Sequence, residues 1–146
     1  MFQRPLALMI LIVVVATIWL LVTRFPVYLP QLDANAPPPP EDDVYVFGFA
    51  TLTNPLVRLV VVGRPVTTEP AALRGVTRFR RDLRDASPDM VLHGVRFRVT
   101  PEEMVRLDRY EQTGRKYRRD LLPLADGSLA WVYRLIDETG VEALRD

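Results

Sequence analysis

Glu111 is the residue whose type and placement most invite chemistry. Thr100-Pro101-Glu102-Glu103 reads as a capping box with proline at the first helical position, which fixes a helix start. Gly114 is the expected helix end. Within that helix Met104 and Leu107 mark the apolar face, and Glu111 follows them by seven and four positions, which places its carboxylate on the buried side. It also falls in the last turn, where the macrodipole disfavours an anion. Burial and dipole together make its proton harder to lose. A carboxylate held against both preferences needs a partner or a task. The partner would be Arg109, Arg115, Arg118 or Arg119 in an ordinary ion pair; the task would be proton transfer. The residues alone leave both open. Asp108, beside it, reads as a structural hydrogen-bond acceptor.

A second stretch, VYVFGFATLTN from Val44 to Asn54, could supply a binding cradle. Val44, Tyr45, Val46 and Phe47 are strand formers. Gly48, Ala50 and Thr51 are small, where a backbone can turn sharply or approach a ligand. Asn54-Pro55 then opens a helix as N-cap and first-turn proline. A strand running through a tight turn into a helix start gathers backbone N–H groups suited to an anion or polar ligand. An ordinary strand–loop–helix junction has the same pattern.

Composition excludes several classes. The chain has 146 residues, enough for one domain with a real core, and a formal net charge of +1, which argues against a general polyanion binder. Cysteine is absent, so disulfides, thiol nucleophiles and thiolate metal sites are excluded together. His93 is the single histidine; it cannot build a multi-histidine zinc site and is read as structural. Lys116 is the only lysine, a bias of composition towards arginine. The arginines from Arg74 to Arg84 are interleaved with Asp82 and lack aromatic pairs, so they read as a solvated strand edge and not as a nucleic-acid surface.

FGFATLTNP resembles the FGYGSL-type loop that opens the gamma-glutamylcyclotransferase-like domain. GRPV, LRG, HGVRFRVTPEEMVRLDRYE and the following YRR are similar to later landmarks of that family, in the same order. The resemblance spans Val44 to Leu135. It implies that Glu111, the last letter of LDRYE, is the general acid/base. It also implies that Phe47, Gly48, Phe49, Ala50, Thr51 and Leu52 bind substrate, with Tyr117 lining the pocket. The residues alone allow Tyr117 equally as a core or rim tyrosine.

The family's reaction closes a small γ-glutamyl amine or peptide on itself. The α-amine attacks the γ-carbonyl and releases 5-oxoproline and an amine, with no metal or cofactor required. The loop departs from the family twice where Phe49-Ala50-Thr51 stands for the usual Tyr-Gly-Ser: Phe49 loses the hydroxyl and Ala50 adds a Cβ, while Thr51 preserves the hydroxyl. A non-catalytic, membrane-anchored binding module on the same scaffold is therefore the alternative expectation.

The elements that must position these residues are legible in part. Leu6 to Val22 is an unbroken apolar run read as an uncleaved single-pass anchor, within a segment 1–24. The positive-inside comparison sets Arg4 against Arg24 and is close to even; we place the domain on the outer face. Residues 25–43 are proline-rich and read as a semi-rigid spacer that packs on nothing. The domain is expected over 44–136 and a polar tail over 137–146. The expected fold is α+β: a small mixed, strongly curved sheet closing towards a barrel, with one or two packed helices. A short helix is read over Pro55 to Val62, and strands over Ala71 to Arg81 and Met90 to Val99. Lys116 to Pro123 and Leu129 to Leu135 pair across Asp126-Gly127, a strong hairpin signal. The expected partners are a small substrate and the membrane, without nucleic acid.

Overall fold

A computed structural model describes residues 3–25 and 27–136. The tail read as polar, 137–146, lies outside the described residues. Helix α1 (Gln3–Arg24) carries no polar stripe. Residues 5–22 have a mean hydropathy of 2.9 and none is buried against the protein. At 22 residues the helix is about 33 Å long, enough to cross a bilayer core.

The segment that follows does not stand off from the domain. Tyr28 donates to the Val60 carbonyl at 2.7 Å, and Leu29 is buried. Arg109 donates to the carbonyls of Pro30 at 2.7 Å and Leu29 at 3.0 Å, and Arg119 to those of Pro37 and Pro38. Prolines keep this segment extended, and its carbonyls remain open to arginines reaching from the domain. Gly114 fits underneath: a Cβ there would lie 2.6 Å from the Ala36 nitrogen. The spacer is a strap laid along the domain, which corrects the expectation that it packs on nothing.

The domain is a mixed α+β fold. Strands β1 (Val44–Gly48), β2 (Thr68–Arg74), β5 (Val91–Val99), β6 (Tyr117–Pro123) and β7 (Leu129–Leu135) form one sheet in the order β2-β5-β1-β7-β6. Strand β1 runs antiparallel to β5 and parallel to β7. The hairpin β6–β7 turns where Asp126-Gly127 lies, with Gly127 at φ 83°. The sheet stays open, so the expected closure towards a barrel is not supported. Its edge strands carry Pro70 and Pro123, which lack the N–H a closing ladder would need. One bond, from the Ala125 N–H to the Ala72 carbonyl at 2.8 Å, links the β6–β7 turn to the far edge.

The expected long strand over 71–81 is broken at Gly75, which adopts φ 70°. Beyond it, β3 (Val76–Phe79) and β4 (Asp82–Asp85) form a separate two-stranded ribbon. Alternation along the sheet makes two cores. Val46, Phe97 and Val99 pack with Met104, Leu107, Val61 and Val62 under helices α2 (Pro55–Val62) and α3 (Pro101–Glu111). Phe47, Leu73, Ala130 and Val132 pack on the other face with Val76 and Leu83 of the ribbon. Gly94 permits the close approach of β1, since a Cβ would sit 2.4 Å from the Gly48 carbonyl oxygen. His93 is exposed on β5 opposite Ala72.

Candidate active site

Helix α3 forms as its sequence demands. Thr100 accepts from the Glu103 N–H at 3.3 Å, and the Thr100 N–H donates to Glu103 at 2.9 Å, completing the capping box. The other end differs from expectation. Gln112, not Gly114, caps the helix in the left-handed conformation, at φ 55° and ψ 48°. A non-glycine residue held there is a local strain of the kind found at functional sites.

That cap places Glu111 in a recess of about 190 Å³. Its walls are Phe47 through Leu52 on one side and Tyr110, Glu111, Gln112, Lys116, Tyr117 and Tyr133 on the other, with Arg81 from the ribbon. The structure therefore brings together every residue the sequence singled out for the site. Arg81, Gln112, Lys116, Tyr110 and Tyr133 were missed. Arg81 is exposed, as its solvated strand edge predicts, yet nothing local in the sequence shows that a ribbon folds it towards a helix end thirty residues later.

Of the four arginines considered as partners of Glu111, Arg109 holds the strap and Arg115 donates to Gln112. Arg118 pairs with Asp120 at 3.2 Å, and Arg119 with Asp108 at 3.6 Å. Among the described residues no ion pair reaches Glu111. Burial pushes its carboxyl up to about 7, against the more distant pull of Lys116 and Arg81. Burial and the neighbouring Glu111 also push the Tyr117 hydroxyl up, so it remains a proton donor at neutral pH.

The loop opposite is fixed through its carbonyls. Phe49 accepts from Arg78 at 3.4 Å, Ala50 from the Thr53 N–H and hydroxyl, Thr51 from the Asn54 N–H, and Leu52 from buried Arg58 at 2.7 Å. The N–H groups of Phe49 and Ala50 donate to no protein acceptor among the described residues. Those of Thr51 and Leu52 open a 3-10 turn (Thr51–Thr53), where no intrahelical carbonyl precedes them. Acceptors occupied and donors left over make a surface suited to an anion or a polarised carbonyl. Gly48 allows the fold-back, because a Cβ there would meet Leu52 Cβ at 2.9 Å. Ala50 adopts φ −125° and ψ −117°, outside the extended and helical regions.

A family model for gamma-glutamyl cyclotransferase, AIG2-like, matches residues 44–145. The chain belongs to this family. Two solution structures of Arabidopsis thaliana proteins are similar to this chain in fold. At5g39720.1 is 23% identical with a TM-score of 0.55, over 66% of this chain and 71% of that one. At3g28950.1 is 16% identical with a TM-score of 0.55, over 75% and 79%. No curated protein matches the chain. Family membership suggests a cyclotransferase-type activity and an α+β scaffold.

Proposed function

We propose that this chain is a cyclotransferase of small γ-glutamyl amines or peptides, with Glu111 as its general acid/base. The observation that carries the reading is the recess itself: a carboxyl raised to about 7 that pairs with no cation among the described residues, facing a loop whose Phe49 and Ala50 N–H groups meet no acceptor among them. In the proposed reaction the loop N–H groups bind the substrate's α-carboxylate and polarise the γ-carbonyl. The α-amine attacks the γ-carbon, forming the ring N–C bond. Glu111 accepts the proton this nitrogen loses. The bond from the γ-carbon to the leaving nitrogen then breaks, and Glu111 returns the proton to that nitrogen. Because nucleophile and electrophile share one molecule, much of the barrier is met by holding the substrate folded.

Incubating the purified chain with a panel of γ-glutamyl amines and measuring 5-oxoproline tests this. Release by the native chain and its loss in Glu111→Gln are expected. Full activity in that variant would remove the acid/base assignment. The substitution of Phe49-Ala50-Thr51 for Tyr-Gly-Ser favours a second reading, a non-catalytic binding module. Binding without 5-oxoproline release across the panel would select it. We further propose that α1 anchors the domain to a membrane; a mature N-terminus at Thr17 would refute retention of the anchor.

A further inference from the structure

Beside the recess lies a larger groove of about 640 Å³, and the two share Gln112 and Lys116 as a common wall. Arg80, Arg84, Arg115 and Lys116 border it, with Asp82 as the one acid among its lining residues. The Asp82 carboxylate already accepts the Leu135 N–H at 2.9 Å. Arginines elsewhere meet either an acid or, as Arg58 and Arg78 do, backbone carbonyls. Arg64, Arg96, Arg98, Arg118, Arg119 and Arg134 each sit within ion-pair distance of an acid. Among the described residues, no acid pairs with any of the four at the groove. Arg84 is held over the Phe79 ring at 3.7 Å, and Arg80 lies 5.6 Å from the same ring. Arg80 is kept in the left-handed conformation at φ 58° in the turn of the ribbon. Phe79, Leu135 and Ile136 add apolar wall between the charges.

We propose that this groove receives the leaving half of the γ-glutamyl substrate, and that this half is an acidic amino acid or acidic peptide carrying more than one carboxylate. The inference rests on the cyclotransferase reading. A γ-glutamyl group seated in the recess, with its γ-carbonyl at the Glu111 side, sends its leaving nitrogen towards the shared Gln112–Lys116 wall. The groups attached to that nitrogen then enter a space where the described residues supply four cations and one engaged acid. A single carboxylate would leave most of that charge unanswered. Two or more carboxylates, with their methylenes against Phe79 and Leu135, match both the charge and the apolar wall. Bond changes are those of the cyclisation: the γ-carbon to leaving-nitrogen bond breaks, and that nitrogen leaves with the proton.

The test compares γ-glutamyl-glutamate with γ-glutamyl-propylamine on the full chain in detergent micelles, reading 5-oxoproline. Partly exposed pairs of this kind predict a kcat/KM preference of roughly tenfold for the acidic compound. The double variant Arg84→Gln, Arg115→Gln should bring that ratio close to unity; both side chains are exposed, and circular dichroism checks the fold. Equal turnover of the two compounds by the native chain would overturn the proposal, as would a preference that survives the double variant. If neither compound yields 5-oxoproline, the cyclotransferase reading fails by itself. Calorimetric binding of the same two compounds to the same two proteins then decides the groove: a lost preference supports it, and equal affinities refute it.

Discussion

Asp108 and Glu111 stand one turn apart on α3, and the fold treats them in opposite ways. Asp108 is fully buried and engaged through its Oδ1. It accepts from the Tyr133 hydroxyl at 2.9 Å and the Thr113 hydroxyl at 3.3 Å, and lies 3.6 Å from the Arg119 guanidinium. Burial still raises its carboxyl, but Arg119 and the two hydroxyls oppose that rise. Tyr133, itself pushed well up by burial and by Asp108, stays protonated to donate. Glu111 is half-buried with none of these partners. The comparison teaches that burial alone does not mark an acid/base residue. Asp108 is held by neighbours that would have to be displaced before its proton moved, whereas Glu111 titrates near neutrality beside open space.

The largest expected effect falls on turnover. Glu111→Gln should lower 5-oxoproline release by about a thousandfold, the usual scale of a lost general acid/base. Asp108→Asn should retain turnover per folded molecule to within several-fold. Its cost falls on stability, about 3 kcal/mol by denaturant unfolding, because Arg119 is left buried without its anion. If Asp108→Asn instead abolishes turnover in a folded protein, the two roles have been assigned the wrong way round.

A smaller effect sharpens the comparison through pH. The unfolded chain ionises Glu111 near 4.5, while the folded chain holds the proton until about 7. Between those values the native state binds more protons, so stability falls as pH rises across that window. Removing the charge with Glu111→Gln should therefore stabilise the protein by about 3 kcal/mol at pH 8 and have little effect at pH 4. Equal effects at both pH values would mean the carboxyl is not raised. Smallest of all, Tyr133→Phe removes one hydrogen bond to Asp108 and should cost about 1 kcal/mol in thermal unfolding.

Much of this was legible in the sequence where the signal was local. The Thr100–Glu103 capping box set the start of α3, and helical spacing then put Glu111 on its buried side. Asn54-Pro55 and Gly63 bracketed α2, with Gly63 left-handed at φ 91° as its cap. Asp126-Gly127 marked the β6–β7 turn. What failed depended on distance along the chain. The strap is held by Arg109 and Arg119, each bonding carbonyls about eighty residues earlier, and no periodicity reports that. Arg81 reaches the recess only because Gly75 breaks the strand and the ribbon folds over. Gln112 takes the cap expected of Gly114, and Gly114 instead lies close beneath the strap.

The central claim is that Glu111 is an unpaired carboxyl poised to exchange a proton near neutral pH. Titration of its side-chain carboxyl by carbon NMR, with the resonance assigned by its absence in Glu111→Gln, measures this directly. The expected midpoint is about 7. A midpoint at the ordinary value of 4.5 would contradict it.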